Sequence, residues 1–97
     1  MIHFSYIHVP SNRNLEAFTS KSIQQLNKHS CLDRVDVTFK KIFDLKNRTR
    51  EVAHIAITCD GHQVHCVIAS LNFKKSVGIA VKSLGNKLMA NSDQLSA

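Results

Sequence analysis

Long apolar runs are missing from this 97-residue chain, and no stretch approaches the roughly 20 residues that a bilayer-spanning helix needs. The opening "MIHFSYIHVPSNRN" also lacks a basic segment followed by an apolar one, so no secretory leader is expected and a cytoplasmic location is. Cysteine is scarce. Cys31, Cys59 and Cys66 form an odd set whose spacing matches no Cys-x-x-Cys unit, which argues against a disulfide framework. Gly-rich phosphate loops, paired-carboxylate patterns and low-complexity linkers are absent as well. These absences weigh against an enzyme, a bound cofactor and a second domain. The expectation is one domain over residues 1–90 followed by a short disordered tail over 91–97.

Acidic residues are also few. Seven Asp and Glu against thirteen Lys and Arg leave a net charge of +6. So large an excess on so short a chain makes a polyanion the natural partner, and the bland alternative is a solvated basic surface.

What the chain does contain is pattern. Ile55, Ile57 and Cys59 share one parity, as do Val64, Cys66 and Ile68, which marks two half-buried strands. Asp60-Gly61 between them suits the positive φ values of a type I′ turn, and such a turn sets Ile57 opposite Val64 and Ile55 opposite Cys66. After Asn72, a residue type favoured at the N-cap, Phe73, Val77, Ala80, Val81, Leu84 and Leu88 recur at helical spacing. Lys75 and Lys82 then project from the opposite side of that helix, and Lys74 and Lys87 flank the apolar stripe.

Upstream, Ile2, Phe4 and Tyr6 alternate with His3, Ser5 and Ile7 in a first strand that ends before Pro10. Ser11 or Asn12 caps a helix over Arg13 to His29 whose buried row is Leu15, Phe18, Ser22 or Ile23, and Leu26. Val35, Val37 and Phe39 make a second strand, and Lys40-Lys41-Ile42-Phe43 breaks the alternation as a strand end or bulge. The connection "DLKNRTR" reads as an exposed hairpin loop carrying Lys46, Arg48 and Arg50.

The order strand, helix, strand, strand, strand, helix implies an α+β fold in which two helices cover one face of a four-stranded sheet. The other face stays open and carries His54, Ala56, Thr58, His65 and Val67 with Asp36, Thr38 and Lys40. Cys59, His62, His65 and Cys66 lie close in sequence, but strand alternation turns His65 away from Cys66. No metal site is expected there, and Cys66 reads as a small core residue. Cys31 beside His29 is the nearest nucleophile and base, with no oxyanion motif near it, so no catalytic residue is assigned.

The element order, the strand "CDGHQVHCVIA" and the helix "NFKKSVGIAVKSLGNKL" together resemble the ribosome hibernation promoting factor and protein Y family of bacteria. The matching features are Gly61, Val64-His65-Cys66, Asn72, Val77, Leu84 and Leu88, with Leu15, Phe18 and Leu26 in the first helix and Val35 and Val37 in the second strand. The chain departs from the family where Glu16, Ser22 and Gln25, and likewise Ser83 and Asn86, stand at positions that often hold Arg or Lys. Lys74, Lys75 and Gly78 replace the family's usual Tyr, Ala and Asp at the start of the second helix.

The resemblance implies a β-α-β-β-β-α domain like a double-stranded RNA-binding domain. It also implies a translation inhibitor of short form that binds the small ribosomal subunit in the channel used by messenger and transfer RNA. Its expected partners are that subunit and its rRNA, with no DNA, membrane or cofactor. Phosphate contacts are expected from Lys74, Lys75, Lys82, Lys87, Lys46, Arg48 and Arg50, with Lys40 and Lys41 next. Two further readings are a stand-alone module for other structured RNA and a protein-interaction domain that dimerises weakly through an exposed strand edge.

Overall fold

The first strand, β1 (Ile2–Ile7), alternates half-buried and exposed side chains as its sequence predicts. In this computed structural model the backbone is described for residues 2–26 and 32–96, and side chains for residues 2–26 and 32–88. Helix α1 (Arg13–Gln24) starts at Asn12, which has an extended backbone and whose side-chain Oδ1 accepts the Leu15 N–H at 3.0 Å. Its buried face is Leu15, Thr19 and Ile23, continued by Leu26. Phe18, expected in that row, is 36% exposed, and Thr19 is fully buried in its place. The exchange costs little, because the Thr19 hydroxyl donates to the Leu15 carbonyl one turn back at 2.7 Å. The helix closes at Gln24, short of the expected His29, which lies with Cys31 outside the described residues.

β2 (Arg34–Phe43), β3 (Thr49–Cys59) and β4 (His62–Ser70) form an antiparallel meander, and β1 pairs in parallel with β2 to give the order β1-β2-β3-β4. The parallel pair is what α1 makes possible, since parallel neighbours need a crossover connection. The second hairpin has the expected register, with Ile57 opposite Val64 and Ile55 opposite Cys66. Asp60 at φ 51° and Gly61 at φ 79° supply its turn. β2 does not stop or bulge at Lys40. Its ladder with β3 runs unbroken from Arg34↔Thr58 to Phe43↔Thr49, because backbone pairing continues where no layer of helices demands an apolar row.

Helix α2 (Phe73–Ser96) runs past the tail boundary expected at residue 91, and no Pro or Gly follows Gly85 to stop it. Its start is fixed twice. Asn72 Oδ1 accepts the Lys75 N–H at 2.8 Å, and Glu51 Oε1 on β3 accepts the Phe73 N–H at 2.9 Å. The Ser76 hydroxyl is fully buried, 2.6 Å from Ser70 Oγ and 2.7 Å from the Glu51 carbonyl oxygen, which locks the first turn to the sheet.

One core joins the inward rows of the sheet (Val35, Val37, Phe39, Ala53, Ile55, Ile57 and Cys66) to the stripes of both helices, so both helices lie on one face. Phe39 is at its centre. Its ring lies 6.3 Å from Phe4, 5.5 Å from Tyr6 and 5.2 Å from Phe73, the last in edge-to-face geometry. Tyr6 extends the cluster to α1 by donating its hydroxyl proton to Glu16 Oε2 at 2.6 Å. Burial first, and the Glu16 hydrogen bond second, push the Tyr6 phenol above its ordinary pKa.

Replacing Phe39 by Ala removes contacts to β1 and α2 together and should cost about 3–5 kcal/mol. Urea unfolding of the variant against wild type measures this. A cost near zero would remove Phe39 from the centre of the core.

Candidate nucleic-acid interface

The β2–β3 hairpin outruns the helical layer. Inward parity in β2 continues from Phe39 to Lys41 and Phe43, yet Lys41 is exposed and Phe43 is 70% exposed, so among the described residues nothing roofs β2 beyond Phe39. Ile42 on the other face is exposed as well, and Leu45 at the tip is fully exposed.

The loop at the end of this hairpin is organised by one carboxylate. Asp44 Oδ1 accepts the Lys46 and Arg48 backbone N–H groups, both at 2.9 Å, and Oδ2 accepts Nε–H from Arg48 at 3.0 Å and from Arg50 at 3.3 Å. Backbone bonds from Asp44 N–H to the Arg48 carbonyl and from Asn47 N–H to the Asp44 carbonyl close the turn. Asn47 takes the left-handed conformation that this requires, at φ 62°. The Arg48 N–H above all, with the Arg48 guanidinium and Lys46 N–H, holds the Asp44 carboxyl below its usual pKa, against a smaller effect of burial. The sequence presents "DLKNRTR" as loop throughout, whereas Thr49 and Arg50 are already in β3.

The nine expected basic residues divide into groups. Lys46, Arg48 and Arg50 surround the hairpin tip, where the two guanidiniums share one carboxylate. Lys41 Nζ lies 3.7 Å from Glu51 Oε2, and the other oxygen of that carboxylate holds the Phe73 N–H, so the hairpin base meets the start of α2 beside Lys74. Lys74, Lys75 and Lys82 are exposed along α2. Lys74 Nζ stands 5.7 Å over the Phe18 ring, which gives that partly exposed ring a role at the surface rather than in the core. Lys82 lines an open groove between the helices with Ser22, Gln25, Leu26, Gly78, Val81, Gly85 and Asn86.

Two residues stand apart. Lys87 turns to the edge of the sheet and donates to the His65 carbonyl at 2.8 Å. Lys40 lies on the open face, as its parity requires. That face carries His54 and His65, with ring centroids 5.8 Å apart, and Arg34 is engaged there by Asp36 at 2.9 Å. Sequence reasoning missed the two organising carboxylates, Asp44 and Glu51, and the exposed Phe43 and Leu45. The parity of Phe43 with Phe39 was a usable signal, since it marks a strand continuing past its own core. Among the described residues no three His, Cys, Asp or Glu side chains gather in a potential metal site, and no helix is long and apolar enough to cross a membrane.

No protein-family model matches the chain, and no curated protein matches it. Solved structures do. The Thermus thermophilus protein Y N-terminal domain is similar with a TM-score of 0.74 and 12% identity, over 89% of this chain and 91% of that one. The fold is that of the protein Y N-terminal domain. A ribosomal subunit interface protein from Coxiella burnetii is similar with a TM-score of 0.80 and 16% identity, over 95% of this chain and 97% of that one. Identities this low leave the protein Y fold as what is shared.

The depressed Asp44 carboxyl carries a pH dependence. A carboxylate with a folded pKa below its unfolded value contributes stability that is complete above the ordinary carboxylate range and is lost as pH falls through the depressed value. The hairpin tip should therefore loosen in acid, seen as lower amide protection factors at Lys46 and Arg48 relative to their intrinsic exchange rates, and Asp44→Ala should show that loosening already at neutral pH. Equal protection in variant and wild type would deny Asp44 this role.

Proposed function

We propose that this protein is a ribosome-associated translation inhibitor of the hibernation type. It binds the small ribosomal subunit in the mRNA and tRNA channel and acts by occupancy rather than by catalysis. The observation that carries this reading is the shared protein Y fold, extending over nearly the whole of this chain and of a ribosomal subunit interface protein. The net charge of +6 supports it, because each Lys or Arg set against a phosphate gains affinity by releasing counterions. The basic residues run from the hairpin through Lys41 to Lys74, Lys75 and Lys82, a distribution suited to the phosphate geometry of rRNA. A-form helices hide their base edges in a deep groove, so shape and phosphate spacing supply recognition. The second reading, a module for other structured RNA, draws on the neutral residues Ser22, Gln25 and Asn86 at positions where the family often carries Arg or Lys.

Co-sedimentation with isolated small and large subunits and with duplex RNA, at low and moderate salt, separates these readings. Saturable binding to small subunits alone, falling steeply with salt, is expected. Equal binding to every RNA would transfer the protein to the second reading, and a salt-insensitive self-association to a dimerisation domain. The pair Lys75→Glu with Lys82→Glu, both on exposed helix positions, should weaken subunit binding by about tenfold or more without changing thermal stability. Undiminished affinity would mean that α2 does not face the RNA.

A further inference from the structure

Exposed apolar residues on a small protein normally stand singly. Here Ile42, Phe43 and Leu45 gather at one hairpin tip, on an open strand pair that would invite aggregation if it served nothing. The chemistry around them is cationic. From Lys40 to Glu51 the chain carries Lys40, Lys41, Lys46, Arg48 and Arg50 against Asp44 and Glu51, half of the protein's net charge. Lys46 forms no side-chain ion pair among the described residues, and Arg48 and Arg50 divide a single carboxylate between them. An apolar partner surface would leave these cations without counter-charges, and a plain RNA duplex would leave the phenyl ring without a face to meet. Unpaired nucleotides offer both a stacking face and a phosphate.

We propose that Phe43 stacks on an unpaired base of a structured RNA and that Leu45 packs beside it, with Lys46 and Arg48 on the flanking phosphates. The proposal deepens the ribosome-binding reading and rests on it for the identity of the RNA, while the chemistry of the tip applies to any RNA with unpaired bases. The loop is organised before binding by the Asp44 hydrogen bonds, so little of it has to be ordered by the RNA.

The chain contains no tryptophan, so Phe43→Trp installs a single reporter at the tip. Its emission should be quenched saturably by small ribosomal subunits and by a stem–loop RNA with an unpaired loop, and much less by a blunt duplex of equal length. In the otherwise native chain, Phe43→Ser should lower affinity for subunits and stem–loop roughly tenfold. It should do so without altering the slope of affinity against salt, and Lys46→Ala should reduce that slope. Both side chains are exposed, so circular dichroism should be unchanged. Subunit binding with no quenching and with full affinity in Phe43→Ser would overturn the stacking proposal and leave the ribosomal reading standing. Blue-shifted, brighter emission on subunits would place the tip against protein and overturn it as well. Quenching by the stem–loop without any subunit binding would uphold the stacking and remove the ribosomal reading, and binding to neither RNA would remove both.

Discussion

Phe39 is the residue on which the rest of the arrangement depends. Its ring touches β1 through Phe4 and Tyr6 and the first turn of α2 through Phe73, and Tyr6 passes the linkage to α1 through Glu16. Three elements distant in sequence are thus held by one side chain that is wholly buried. It also marks where the roof ends. The next two residues of the same parity, Lys41 and Phe43, emerge into solvent, so the projecting hairpin follows from where the core stops and needs no separate scaffold. The stiffness of the sheet is carried out to the tip by an unbroken ladder between β2 and β3.

Two carboxylates then fix the basic surface without neutralising it. Asp44 spends one oxygen on backbone N–H groups and the other on two arginines, so it shapes the tip and leaves an excess of positive charge there. Glu51 joins Lys41 to the N-terminus of α2, where a negative group is favoured by the helix dipole. The few acids of this part of the chain act as internal fasteners for a cationic surface, which is therefore arranged in advance of any partner.

Legibility in the sequence tracked how many local signals agreed. The Asp60-Gly61 hairpin was readable to the register because strand parity and turn chemistry specify the same pairing. The α2 stripe was readable because six apolar residues repeat at one period. The far end of β2 was not, since beyond the helical roof a strand is held by its backbone ladder and its side chains follow no apolar alternation. Thr19 displaced Phe18 in the core because a hydroxyl satisfied by its own helix counts as nearly apolar, something a hydrophobicity pattern does not register. Glu51 at the start of α2, and Lys87 on the His65 carbonyl, are contacts between residues 22 positions apart, and no local spacing reports them. The nine basic candidates were all legible as residues, but their division between hairpin, helix and open face was not, because it depends on where the sheet is covered.

With 12% and 16% identity to its structural neighbours, the chain reaches the same fold through its own apolar periodicity. Ser22, Gln25 and Asn86, all neutral, line the groove between the helices, and among the described residues Lys82 is the one cation lining it. Gly85 there brings α2 close to α1, since a Cβ at this position would stand 3.2 Å from Leu26 Cδ2. Such an open, mostly neutral groove is a weak phosphate track. Lys74 and Lys75 at the head of α2 and the cluster on the hairpin place more cations at that end of the molecule than line the groove. Counterion release depends on how many phosphates are neutralised more than on which side chains neutralise them, so a polyanion would be held mainly at that end. The hairpin is also where Ile42, Phe43 and Leu45 are exposed together, so under the proposed RNA-binding role charge and stacking would act on the same nucleotides.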